Sequence, residues 1–189
     1  TTYFSADKLL EDLGAKMVEA PCSVFADSEF ATAGGFLTYS LRVLSTLSKL
    51  NSAYDLSVPK ADLVALGLLH GLGHIGDLSA NQYVPQDSDW HRKNTGKIYK
   101  LNPDIRRMTT EHRTLFLLQH YGITLTQNVW LAIANQAGRN SEAANFYFSD
   151  RPIEAVLLRQ AAHELDRLAR AAAPLGRDLG QLVDAPRVR

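Results

Sequence analysis

The chain has 189 residues, 46% of them apolar and 21% charged, and its 20 basic side chains balance 20 acidic ones to a formal net charge of zero. It is long enough for one folded domain and too apolar to stay disordered. Without a basic excess it is not expected to bind nucleic acid non-specifically, and its neutrality mildly favours self-association.

The single cysteine, Cys22, excludes an intrachain disulfide and a thiolate metal cage. Following Pro21 in an apolar stretch, it reads as a small packed hydrophobe. No apolar run approaches the ~18 residues of a membrane span. The segment Thr1-Thr2-Tyr3-Phe4-Ser5 lacks the basic and apolar regions of a signal peptide. A cytoplasmic location with no membrane partner is therefore expected.

Along the chain, Leu9, Leu13 and Met17 recur at four-residue spacing and predict an amphipathic helix from Asp7 to Ala20. Gly34-Gly35 punctuates a loop, and a wide apolar face predicts a helix from Phe36 to Leu50. Ser57 and Pro59 suit the start of a helix whose apolar run, Leu63 to Leu69, should be buried and should lead into His70. The polar stretch Ile75 to Met108 shows no helical period until Gly96 to Leu101; a stretch this long is functional or ordered by short strands. Thr109 or Thr110 caps a helix ended by Gly122. Thr124 and Gln127 form a capping-box pattern for a helix through Ala137, closed by Gly138. Asp150 opens the longest helix, Pro152 to Ala173. The expected fold is all-α, a compact bundle of six or seven helices in one domain over residues 1–174, with a loosely packed tail over 175–189.

Histidines cluster in Leu68-Leu69-His70-Gly71-Leu72-Gly73-His74-Ile75-Gly76-Asp77. On a continued helix His70 and His74 would share a face, the start of a metal site, since imidazole suits several divalent ions. Gly71 and Gly73 oppose that continuation. The alternative is a hydrogen-bonded core histidine at 70 and a loop histidine at 74.

The segment Ala65 to Asp77 resembles the central motif of the HD-domain superfamily of phosphohydrolases, which reads A-L-L-H-D-L-G-K. Pro21-Cys22-Ser23 and Gly34 to Val43 are similar to the family's P-x-S and G-G-L-x-x-H-S-x-x-V blocks. Glu111 to Leu118, Ile123 to Ile133 and Ala155 to Ala161 continue the match, which covers roughly residues 20 to 170 and is most like small HD proteins of phages and mobile elements.

The resemblance implies a helical scaffold holding divalent metal through an H…HD…D set, with the metal activating water against a phosphoryl group, usually of a nucleotide. At those positions this chain carries Tyr39, His70, Gly71 and Ala162, and Gln136 falls near a further family histidine. One inherited ligand of the four remains. A single neutral imidazole does not hold a catalytic divalent ion, because such sites keep about three protein ligands. No cofactor is therefore expected, and the Tyr39 hydroxyl is expected to hydrogen-bond His70.

Three functions follow. The first is a silent member of the family that binds a nucleotide, another phosphorylated molecule, or a protein. The second is an active nucleotide phosphohydrolase with a shifted divalent-metal site built from His70, His74, Asp77 and His112, with Asp166 or His163 nearby. The third is metal-free chemistry in the inherited pocket, with Tyr39, His70, His74 and Asp77 as its candidates beside the segment from Trp90 to Lys100. For ligand binding, Trp90, His91, Arg92, Lys93, Lys97 and Lys100 combine an aromatic surface with phosphate-seeking cations.

Overall fold

The computed structural model describes residues 6–136 and 150–172, with side chains described to residue 165 in the last helix. Seven α-helices and one two-stranded sheet make up the regular structure among these residues. The chain is thus mostly helical rather than all-helical. No helix among them is long and apolar enough to cross a membrane.

Helix α1 spans Asp7–Glu19 and buries Leu9, Leu13 and Met17, the stripe its periodicity dictates. Helix α2, Gly35–Ala53, buries Phe36, Ser40, Val43 and Leu47. Helix α3, Lys60–Leu69, is buried on most sides, as its apolar run requires. It lies close against α2 because Gly67 has no side chain: a Cβ there would sit 2.5 Å from that of Leu44. Pro59 stands at the α3 N-cap position with no side-chain cap, so Ser57 does not play that part.

The long polar stretch is ordered. A 3-10 turn covers Leu72–Ile75, strand β1 covers Tyr83–Pro85, helix α4 covers Asp89–Thr95, and strand β2 covers Tyr99–Leu101. The strands pair antiparallel, Tyr83 opposite Leu101. The helix expected over Gly96 to Leu101 is instead a strand, and the helix lies just before it. Ser88 caps α4 by accepting from the His91 N–H, and Gly96 ends it at φ +65°. Residue by residue, α4 has no apolar face to betray it, since none of its residues is buried.

Helix α5 spans Thr110–His120 and is capped by Thr109. Helix α6 spans Gln127–Ala134 and is capped by Thr126, not Thr124. The Thr126 hydroxyl also donates to Asp62 at 3.3 Å, so tertiary pairing selects the cap. The stretch to Ala137 and Gly138 passes outside the described residues. Helix α7 spans Ile153–Ala172 and packs on α2, α3 and α6. One core joins all seven helices except α4, built on Leu9, Phe36, Val43, Leu66, Leu117, Ile133 and Leu158. The tail over 175–189 lies outside the described residues.

Candidate functional site around His70

His70 closes α3 at the meeting point of α2, α3 and α5, with 2% of its surface exposed. Its Nδ1–H donates to the Leu66 carbonyl at 2.6 Å. That bond fixes the tautomer, leaving the Nε2 lone pair bare, and Nε2 has no hydrogen-bond partner among the described residues. Burial pushes the imidazole down to about 4, against the pull of backbone bonds to Leu66 and Gly67, so it is neutral at pH 7. An Nδ1–H anchored on a carbonyl is how metal-ligating histidines are commonly oriented.

The backbone at this point is tied from two sides. The His70 carbonyl accepts from Thr114 Oγ1 at 3.2 Å and from Gln136 Nε2 at 3.0 Å. Thr114 Oγ1 in turn accepts from the Gly73 N–H at 2.8 Å. Gln136, placed near a ligand position by the resemblance, is thus beside His70 and spends its amide on the backbone.

Tyr39, half-buried on α2, sets its ring against that of His70, centroids 5.6 Å apart, and edge-on to Phe30 at 5.3 Å. The expected hydroxyl bond to His70 does not form: Nδ1 is taken by Leu66 and Nε2 is unpaired among the described residues. The two rings meet tilted by 48°, in ring-to-ring contact rather than through the hydroxyl. Ser40, the next residue, buries an Oγ that likewise lacks a partner among the described residues.

The two glycines after His70 differ. A Cβ on Gly73 would strike the Thr110 carbonyl oxygen at 2.3 Å, so close packing of the 3-10 turn on α5 demands glycine there. A Cβ on Gly71 would meet only His74 Cδ2 at 3.4 Å and Phe36 Cε2 at 3.7 Å, and its φ of −100° suits any residue. Backbone geometry does not require glycine at 71.

His74 does not continue the α3 face. It sits in the 3-10 turn, half-buried, with Nδ1 3.0 Å from the Tyr83 hydroxyl. Burial, with His70 adding to it, holds its imidazole at about 4. Burial also pushes the Tyr83 phenol up. Together with Lys16, Glu19, Ile75 and Gln82, the pair lines a small cavity of about 30 Å³.

Asp77 turns away from both histidines. Its Oδ1 accepts from the Ser79 and Ala80 N–H groups and the Ser79 hydroxyl, and its Oδ2 lies 3.5 Å from Arg113 Nη1. Burial works to raise its carboxyl, but these hydrogen bonds and the guanidinium outweigh that and hold it below the usual range. Arg113 is 1% exposed and also donates to the Arg106 carbonyl at 2.6 Å. Sequence reasoning missed Arg113. The signal was present: Arg113 and Thr114 precede Leu117 and Leu118 on the buried face of α5.

His112 points elsewhere, into an open groove of about 590 Å³ walled by Phe116, Ile123, Leu125 and Trp130. His163 is exposed, and the Asp166 side chain lies outside the described residues. The shifted set of His70, His74, Asp77 and His112 therefore does not assemble. No three His, Cys, Asp or Glu side chains among the described residues come together to hold a metal ion. Cys22 packs against the core, and burial pushes its thiol up to about 12.

The ligand-binding candidates share one exposed region but not one role. Trp90 is 62% exposed and meets the His91 ring edge-on at 5.1 Å. His91 Nδ1 lies 2.9 Å from the Ser88 hydroxyl. Arg92 lies 3.7 Å from Asp89, and Lys100 donates to Asp87 at 2.7 Å. Lys97 Nζ stands 5.8 Å from the Phe25 ring centre. Lys93 is exposed.

No family model, curated protein or solved structure matches the chain.

Proposed function

We propose that this chain is a catalytically silent relative of the HD-domain phosphohydrolases, which binds a phosphorylated ligand without hydrolysing it. The observation that carries the reading is the state of His70. Its imidazole is oriented as a metal ligand is, with Nδ1–H on a carbonyl and a bare Nε2. Yet the positions that the resemblance pairs with it hold Tyr39, Gly71 and Ala162. The nearest titratable alternatives are spent: His74 on Tyr83, Asp77 on Arg113.

Electrostatics supports the same conclusion. A doubly charged ion leaving water needs anionic or several neutral donors to replace its hydration. Tyr39 brings an aromatic ring where the resemblance expects a donor. The metal-free alternative needs an open polar pocket, whereas His70 is 2% exposed with the Tyr39 ring against it.

A screen of nucleoside mono-, di- and triphosphates with Mn²⁺, Mg²⁺, Co²⁺ or Ni²⁺ tests this. No phosphate release above the protein-free blank is expected. Metal-stimulated release that disappears in His70→Ala overturns the reading.

A further inference from the structure

Resting on the reading that the chain binds a phosphorylated ligand, we infer that this ligand is a nucleotide held on one face of α4, its base on Trp90 and its phosphate on Lys93.

Helix α4 is unusual in its surroundings. It buries none of its residues, yet it carries an indole that is 62% exposed. The helix is held by its Ser88 cap, its Gly96 terminus and the neighbouring strand bonds, such as Gln86 N–H to the Ile98 carbonyl at 2.9 Å. It is therefore positioned without using Trp90. An exposed tryptophan on a fixed backbone is a stacking surface whose side-chain order costs little when a planar ring settles on it.

The charge around it is net positive. From Gln86 to Lys100 the chain carries Arg92, Lys93, Lys97 and Lys100 against Asp87 and Asp89, an excess of two positive charges on a neutral protein. That excess complements a phosphate. Its members are not equivalent. Lys100 is committed to Asp87, Arg92 faces Asp89, and Lys97 lies over Phe25. Lys93 has no ion-pair partner among the described residues. It follows Trp90 by three positions, and Asn94 follows by four, with its amide bonded back to the Trp90 carbonyl at 2.9 Å. Residues three apart on a helix share a face, with Cβ atoms about 5–6 Å apart. A nucleoside 5′-monophosphate spans that gap, with its ring over the indole and its phosphate at the ammonium. The structure thus separates two cations that are spent within the segment from one that is open to a ligand.

The chain has two tryptophans, so Trp130→Phe leaves Trp90 as the sole indole, with Trp130→Tyr as a second background should the first fold poorly. Trp90 fluorescence is titrated with AMP, adenosine, inorganic phosphate and an oligo(dA) strand. AMP is expected to quench it with a millimolar or tighter Kd, adenosine about tenfold more weakly, and phosphate not at all. Lys93→Ala should weaken AMP to the level of adenosine and leave adenosine unchanged. No quenching by AMP, or equal binding of AMP and adenosine that Lys93→Ala does not alter, overturns the assignment. Oligo(dA) binding far more tightly per nucleotide than AMP, with steep salt dependence, replaces it with single-stranded nucleic acid. Phosphate release measured in the same samples separates the two readings. Quenching with release refutes silence and keeps this site; neither quenching nor release refutes this site and keeps silence.

Discussion

The ring of Tyr39 lies against the imidazole of His70, centroids 5.6 Å apart and planes tilted by 48°, while His70 Nε2 stays buried without a hydrogen-bond partner among the described residues. Burial at this point holds the imidazoles of both His70 and His74 low.

Acid should destabilise the fold through His70 and His74. Both are held at about 4, below the ~6.5 of an unfolded histidine. A lowered histidine leaves the native state neutral, so below the unfolded value protons bind preferentially to the unfolded chain. Stability is complete above about pH 6.5 and falls as pH drops toward 4, with His70 alone costing about 2 kcal/mol by pH 5. Urea unfolding from pH 7 to pH 4.5 should show this loss. A flat profile over that range contradicts the buried, neutral pair.

Asp77 and Arg113 should be strongly coupled. Asp77→Ala leaves a buried guanidinium without its carboxylate and should cost about 3 kcal/mol, whereas adding Arg113→Met should cost less than the sum of the two single changes. A double-mutant cycle by urea unfolding reads the coupling. Strict additivity would show that the 3.5 Å approach contributes nothing.

The glycines flanking Leu72 should respond in opposite ways. Gly73→Ala forces a Cβ against the Thr110 carbonyl and should destabilise by about 2 kcal/mol or more. Gly71→Ala meets ordinary contacts and should be neutral or stabilising by about 0.4–1 kcal/mol. Thermal melts of the two variants check the contrast.

Much of this was legible beforehand. The stripe of Leu9, Leu13 and Met17, the buried run from Leu63 to Leu69, and the Thr109 cap each follow from local chemistry. So did the burial of His70, because it ends an apolar helix. What stayed hidden depends on contacts remote in sequence. Thr126 displaced Thr124 as a cap because Asp62 meets it across the fold. Helix α4 has no apolar period to read, being held by its ends. Asp77 read as a possible ligand because nothing nearby in sequence announces Arg113 as its partner. The Tyr39–His70 hydrogen bond failed because side-chain composition gives proximity but not ring orientation.

Installing the donors that the family pattern requires tests the resemblance itself. Tyr39→His, Gly71→Asp and Ala162→Asp together return the set that the family pattern requires, and Gly71 has room for the first carbon of the new side chain. The triple variant should bind one Mn²⁺ per chain. A folded variant that binds none removes the family likeness as a guide to this site.

Equilibrium dialysis of the unaltered chain against micromolar Mn²⁺, Co²⁺ and Zn²⁺, with metal counted per chain, decides whether His70 sits in a closed centre. No ion should be retained beyond what His70→Ala retains. A stoichiometric ion in the unaltered chain that is lost in His70→Ala would contradict a silenced site outright.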